Sequence, residues 1–215
     1  VAVQSRAFSV GGAVPWVEAG VGGIAPQAVT NESFGPLGLE RLRRGQQAAD
    51  VLRALLEADS GRAHRQVGIV DAKGRSASFT GTDCSAWAGY RSGPGYAIQG
   101  NILAGEAVVA GMERAFLETK GDLGDRLLAA LEAGQAAGGD KRGMQSAAML
   151  IVKKGGEEGL RRLSKGLIPF LVILGVLSAI LVAEPDLSVV IFYAFVMGVM
   201  LFAAGARIGH FVVLG

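Results

Sequence analysis

The chain is 215 residues long and carries 21 Lys and Arg against 19 Asp and Glu, a formal net charge of +2. Acids lie between the bases, which excludes a phosphate-binding face and with it a nucleic-acid partner. A lone cysteine, Cys84, excludes a disulfide framework, and His64 and His210 stand in no Cys/His cluster, so neither metal nor cofactor is expected.

Val1-Ala2-Val3-Gln4-Ser5 is a β-type run without an initiator Met or signal peptide, and it reads as a strand already under way, with residues expected upstream. Gly11-Gly12 through Pro15 is a loop, and residues 20–30 are glycine-rich and β-biased. Gly20-Val21-Gly22-Gly23 matches only part of a dinucleotide fingerprint, since no helix opens there; a strand with close backbone approach is the better reading. Pro36 suits the first position of a helix carrying Leu37, Leu39 and Leu42. A second helix places Val51, Leu52, Leu55 and Leu56 at helical spacing and ends near Asp59-Ser60-Gly61. Residues 66–71 and 75–80 form a hairpin around Ala72-Lys73-Gly74. Residues 91–95 are a Gly/Pro loop before a strand at 96–99.

Residues 106–119 predict an amphipathic helix with Val108, Val109, Met112, Phe116 and Leu117 on one side, and 123–136 another with Leu127, Leu128 and Leu131 inward. Gly138-Gly139-Asp140 stops it, and 145–152 has the consecutive apolar residues of a strand covered on both faces. The order of strands and helix pairs predicts sheets sandwiched by helices, not alternating βαβ units. The expected core is Val67, Ile69, Val108, Met112, Phe116, Leu127, Leu131, Leu150 and Val152.

Residues 155–166 form a charged linker with Glu157, Glu158, Arg161, Arg162 and Lys165. Residues 167–183 and 187–206 are apolar, broken by Glu184-Pro185-Asp186 and closed by Arg207. At about 1.5 Å per residue each approaches the ~30 Å of a bilayer core, so residues 167–215 are expected to form a transmembrane hairpin. Basic residues at its outer ends put the preceding domain in the cytoplasm, the lipid bilayer as a partner and the inner membrane as the location. Without a membrane role for the hairpin, the chain is expected to be cytoplasmic.

No Gly-x-Ser-x-Gly elbow, P-loop or His-Glu-x-x-His occurs. His64, between Arg62 and Arg65, reads as a surface residue, and Cys84, Ser5, Ser9, Thr30 and Ser33 as isolated nucleophiles. The candidate pocket residues are Gly100 and Asn101, at a strand end, and Gly138, Gly139 and Asp140, in a Gly-Gly turn. Both segments are able to aim backbone N–H groups at an oxyanion, although from spacing alone ordinary turn chemistry is the favoured reading.

Several stretches carry a family resemblance. They are Val1 to Arg6, Val14-Pro15-Trp16, Gln66 to Asp71, Trp87-Ala88-Gly89, Gln99 to Gly105 and Gly138 to Ala148. In order along residues 1–154 they resemble a bacterial family of uncharacterised Ntn-hydrolase-like proteins. The resemblance implies an α+β fold, a four-layer αββα sandwich lacking its first strand here, and hydrolysis of a small amide. Ntn hydrolases use their first mature residue as nucleophile. Val1 has no nucleophilic atom, so the catalytic residue is unassigned and the domain is expected to be inactive as it stands. Arg161 to Pro169, Glu184 to Ser188 and Ala203 to Arg207 resemble two helices of the FtsW/RodA lipid II polymerases, which implies as an alternative a fragment of a peptidoglycan-polymerising cell-division protein with a passenger domain. A homo-oligomer and a chimera of the two families are further expectations.

Overall fold

The computed structural model describes residues 1–155, and a first compact unit spans Val1–Val152. Its strands are β1 (Ala2–Ser5), β2 (Trp16–Glu18), β3 (Gly22–Ala28), β4 (Arg65–Asp71), β5 (Ser76–Thr80), β6 (Gly89–Gly93), β7 (Tyr96–Gly100) and β8 (Ser146–Met149). Helices α1 (Phe34–Arg43) and α2 (Ala48–Glu57) follow β3, and α3 (Glu106–Glu118) and α4 (Leu123–Ala136) follow β7.

One antiparallel sheet has the order β2-β3-β4-β5; β1 pairs with β8, and β6 with β7. Period-2 alternation assigns the faces of the larger sheet. Ile24, Val67 and Ile69, each 0% exposed, point toward α1 and α2 and pack with Val51, Leu55 and Leu42. The opposite face meets the β6–β7 hairpin and β1, which α3 and α4 cover from outside. There Ile98, Val108, Val109 and Phe116 make a second core, while Val3, Val10 and Val14 make a third under Ala25. The layers therefore run helices, sheet, strand pairs, helices. Helix pairs enclose the strands, as the element order predicts.

Local chemistry sets the element ends. Asp71 closes the β4–β5 turn by accepting from the N–H groups of Lys73 (2.9 Å) and Arg75 (3.0 Å), with the Arg75 Nε at 2.6 Å. Burial opposes the charge of Asp71, but these donors outweigh it and lower its pKa. Asp122 caps α4 through the N–H groups of Gly124 and Asp125, and Asp125 reciprocates to the Asp122 N–H.

Several expectations are corrected. Of the loop expected at 91–95, residues 91–93 belong to strand β6 and only Pro94-Gly95 is a turn, with Gly95 at φ 85°, which folds β6 onto β7. Helix α1 begins at Phe34, two residues before Pro36, which still lies in the first turn where no N–H partner is needed. Residues 145–152 are not a buried strand: β8 ends at Met149, and Leu150, Ile151 and Val152 are exposed. Leu150 and Val152 therefore leave the expected core, as Leu117 and Leu128 leave the inward helix faces, whereas Val67, Ile69, Val108 and Phe116 are buried as expected.

The expected fold class, a sandwich followed by a membrane hairpin, is also corrected. The described residues form a mixed α/β fold, and no helix among them is long and apolar enough to cross a membrane. The longest, α4, has 14 residues, which spans only ~21 Å at about 1.5 Å per residue. The spans expected at 167–183 and 187–206 lie outside the described residues. Among the described residues neither the membrane hairpin nor the inner-membrane location finds support.

Candidate functional site

The site lies where the larger sheet faces the strand pairs. On that face, register sets Gln27, Gln66 and Thr80 in one row across β3, β4 and β5, and Ala25, Gly68 and Ser78 in the next. Gln66 is fully buried near the start of β4, which requires its amide to be satisfied. Its Nε2 donates to Thr80 Oγ1 (2.8 Å), to the Gly100 carbonyl (2.9 Å) and to the Gly89 carbonyl (3.2 Å). Its Oε1 accepts from Asn101 Nδ2 at 3.2 Å. One side chain thus ties the open end of the β6–β7 hairpin to the sheet and fixes Asn101. Gly68 leaves the space that Gln99 fills: a Cβ there would lie 2.7 Å from Gln99 Oε1. Gln99 Nε2 in turn donates to the Ala25 carbonyl at 2.6 Å.

Between these strands and β1 is a cavity of about 90 Å³ whose wall includes Gln4, Gln27, Gln99, Asn101, Gln135 and Asp140. Gln4 Nε2 donates to Gln135 Oε1 at 2.6 Å, joining β1 to α4. Asp140 is gripped by Arg142 through Nε (3.0 Å) and Nη2 (2.7 Å), and by the Arg142 backbone N–H (2.9 Å). The Arg142 guanidinium holds the Asp140 carboxyl below its usual range although burial opposes this. Asp140 is therefore a neutralised carboxylate that pins its loop, not a raised-pKa proton donor.

Of the sequence candidates, Gly100, Asn101, Gly139 and Asp140 all line this cavity; Gly138 stands just outside its wall. Two backbone bonds bring the segments together, from Ala104 N–H to the Gly139 carbonyl (2.9 Å) and from Lys141 N–H to the Ile102 carbonyl (2.9 Å). The N–H groups of Gly138 and Gly139 bond to the carbonyls of Gln135 and Gly134, each at 3.0 Å, and so terminate α4.

A groove of about 310 Å³ adjoins the cavity and shares Ser5, Gln27, Asn101 and Arg142 with it. His64, Asp83 and Cys84 lie on its wall. His64 Nε2 is 3.6 Å from Asp83 Oδ2, both side chains half exposed. Burial pushes the Cys84 thiol up, and its Sγ donates to the Arg65 carbonyl at 3.3 Å, so it is a protonated thiol and not an activated nucleophile. Among the described residues the non-glycine positions at positive φ are Ser9 (54°), Ala28 (65°) and Ile102 (57°), and all of them line this groove. Such backbone costs of order 1–3 kcal/mol per residue and concentrates at functional sites.

A family model described as a family of unknown function, DUF1028, matches residues 1–165. This chain belongs to the DUF1028 family. A crystal structure of a protein from Silicibacter pomeroyi, matched by the same family model, is similar to it at 33% identity with a TM-score of 0.67. The similarity covers 71% of this chain and 66% of that one, so the chain spans slightly less than two thirds of its relative's length. No curated protein matches. The family match accounts for residues up to 165, and nothing in the comparisons supports the FtsW/RodA resemblance. The membrane, peptidoglycan and cell-division expectations are corrected accordingly.

For this DUF1028 chain, sequence reasoning missed Gln4, Gln27, Gln66, Gln99 and Gln135. A signal was present for some of them. Gln66 directly precedes the apolar or small run of residues 67–70 in its strand, and Gln27 and Gln99 stand in β-type runs at positions that alternation makes inward. What the sequence lacked was the pairing that brings them onto one cleft.

Proposed function

We propose that this chain carries the substrate cleft of an Ntn-hydrolase-like domain that acts on a small amide. Support for the class comes from layers in which helix pairs enclose facing strands, together with the family resemblance read along residues 1–154. The observation that carries the reading is the convergence of Gln4, Gln27, Gln99, Asn101 and Gln135 on one cleft between the strand layers, with the buried Gln66 holding Asn101 in place from behind. Carboxamides match an amide ligand with donor and acceptor at the same spacing, and they are uncharged, as a neutral substrate requires. The outer groove offers the volume for the rest of the molecule.

The chemistry is addition of water across the amide C–N bond, leaving a carboxylic acid and an amine. Among the described residues no hydroxyl or thiol is hydrogen-bonded to His64. The nucleophile stays unassigned, and recognition is the part of the reaction these residues perform.

Incubation of the intact chain with a panel of short alkyl amides, followed by calorimetry for binding and mass spectrometry for released acid, tests the reading. Saturable binding that Gln99→Ala weakens is expected. Failure of every amide to bind, or binding indifferent to Gln99→Ala, would overturn it.

A further inference from the structure

Phe8 is the most exposed large apolar residue among the described residues, at 89%, and it stands on the wall of the outer groove. Local bonds hold its backbone there. Ser146 Oγ on β8 donates to the Ala7 carbonyl (2.6 Å) and accepts from the Val10 N–H (3.0 Å), so the chain is pinned on both sides of Phe8. Between these anchors Ser9 takes a positive φ of 54°, which turns the backbone directly after the ring. Val29, the other exposed large apolar residue of the wall, is 60% exposed and is tied by its N–H to the His64 carbonyl (3.1 Å). Val10 and Val14 line the same groove and are buried, so they form its base. Apolar side chains held in water at the edge of a groove forgo the free energy of burial, which an apolar occupant would restore.

Charge and size narrow what the groove takes. Asp83 is its only carboxylate, and Arg142, its only guanidinium, is paired with Asp140. An anionic chain would meet Asp83 with no free guanidinium to offset it. At about 310 Å³ the groove lies at the small end of ligand pockets, ~300–1,000 Å³, which suits one short chain or one ring. Ser5, Gln27, Asn101 and Arg142 line both the groove and the inner cavity, so a ligand bound by its amide at the cleft reaches the groove with its substituent.

We infer that the substrate is an amide with an uncharged apolar chain, and that Phe8 is the specificity-determining residue that packs on this chain over Val10 and Val14. Packing the chain against the ring takes two apolar surfaces out of water at once. A chain ending in an ammonium group keeps its charge hydrated and gains less from the ring. This inference rests on the cleft being an amide site and adds the class of the amide's substituent.

The test is calorimetry on the intact wild-type chain with butanamide, hexanamide and 6-aminohexanamide, repeated on Phe8→Ser and Val29→Ser. At about threefold per buried methylene, hexanamide is expected to bind about tenfold tighter than butanamide, and tighter than 6-aminohexanamide. Phe8→Ser is expected to remove most of the preference for hexanamide while binding butanamide as before, and Val29→Ser to remove a smaller part. Equal affinity for butanamide and hexanamide on the wild type, or 6-aminohexanamide binding as tightly as hexanamide, overturns the inference and leaves the cleft reading standing. A preference undiminished in Phe8→Ser also overturns it, and if that variant instead sediments as a smaller species, the ring belongs to a contact between copies of the chain. No binding of any probe overturns both readings. If a variant does not fold, nuclear Overhauser contacts between the hexanamide methyl group and the Phe8 ring of the wild type decide the matter, and their absence at saturation overturns the inference.

Discussion

Strand β4 has two faces of opposite chemistry. Toward α1 and α2 it sends Val67 and Ile69, which with Ile24, Val51 and Leu55 form a dry core. Toward the second strand layer it sends Gln66 and Gly68, and the neighbours there are Gln27, Gln99 and Asn101. The first face is generic: any well-packed apolar set of the same volume would hold the helices. The second is specific, since each buried amide needs a partner at a defined place and two acceptors still lack one. Stability is concentrated on one side of the sheet and recognition on the other, and the same seven-residue strand serves both.

Substitutions on the two faces should separate these roles. The largest effect is expected from Ile69→Ala, which empties the middle of the helix-covered core. A loss of about 3 kcal/mol in urea unfolding is expected, in the range for buried Ile or Leu truncations. Gln66→Leu should come next. It strands the Gly89 and Gly100 carbonyls and releases Asn101, at a cost of about 2 kcal/mol. It should also abolish amide binding, which Ile69→Ala at a temperature where it is folded should not. Equal loss of binding in both variants would erase the distinction between the faces.

An acid limb sharpens the comparison. Asp59, beside the base of β4, is held at a pKa of about 2 by its bonds from Arg65, against burial, with help from the Gly61 N–H and Asn31. A carboxyl depressed on folding contributes stability that is complete above its unfolded pKa and lost as protons bind the folded form. Stability should therefore fall between about pH 4 and pH 2, and Asp59→Asn should flatten that limb when unfolding is followed against pH. Asp140 on the cleft side, lowered by Arg142, contributes with the same sign.

The smallest effect is expected from Gln27→Leu. Its acceptor has no partner to lose, so stability should stay within about 0.5 kcal/mol of wild type or rise slightly in the same urea measurement. A large destabilisation would mean that Gln27 is structural.

Legibility follows the same division. Helices α2, α3 and α4 and the β4–β5 hairpin were readable because apolar spacing and turn residues are local signals. Val67 and Ile69 followed from alternation alone. Leu150 and Val152 were misplaced because a run of apolar residues does not reveal whether a second layer covers it. β6 was missed because Gly89, Ser92 and Gly93 have little β preference, and it is pairing with β7 that makes them a strand. Gly100, Asn101, Gly139 and Asp140 were chosen for turn geometry, and their meeting at one cavity depends on the bonds between residues 102–104 and 139–141. The glutamines remained hidden because burial of an amide is decided by contacts remote in sequence, such as the thirty-four positions between Gln66 and Gly100.

The claim that recognition belongs to the cleft between the strand layers is tested most directly by side-chain amide NMR of the intact chain during titration with hexanamide. The NH₂ resonances of Gln27, Gln99 and Asn101 should move along one saturation curve while the backbone amides of Val51, Leu55 and Ile69 stay in place. Shifts concentrated at the α1 and α2 face, or saturation that leaves those three side chains unmoved, would contradict it.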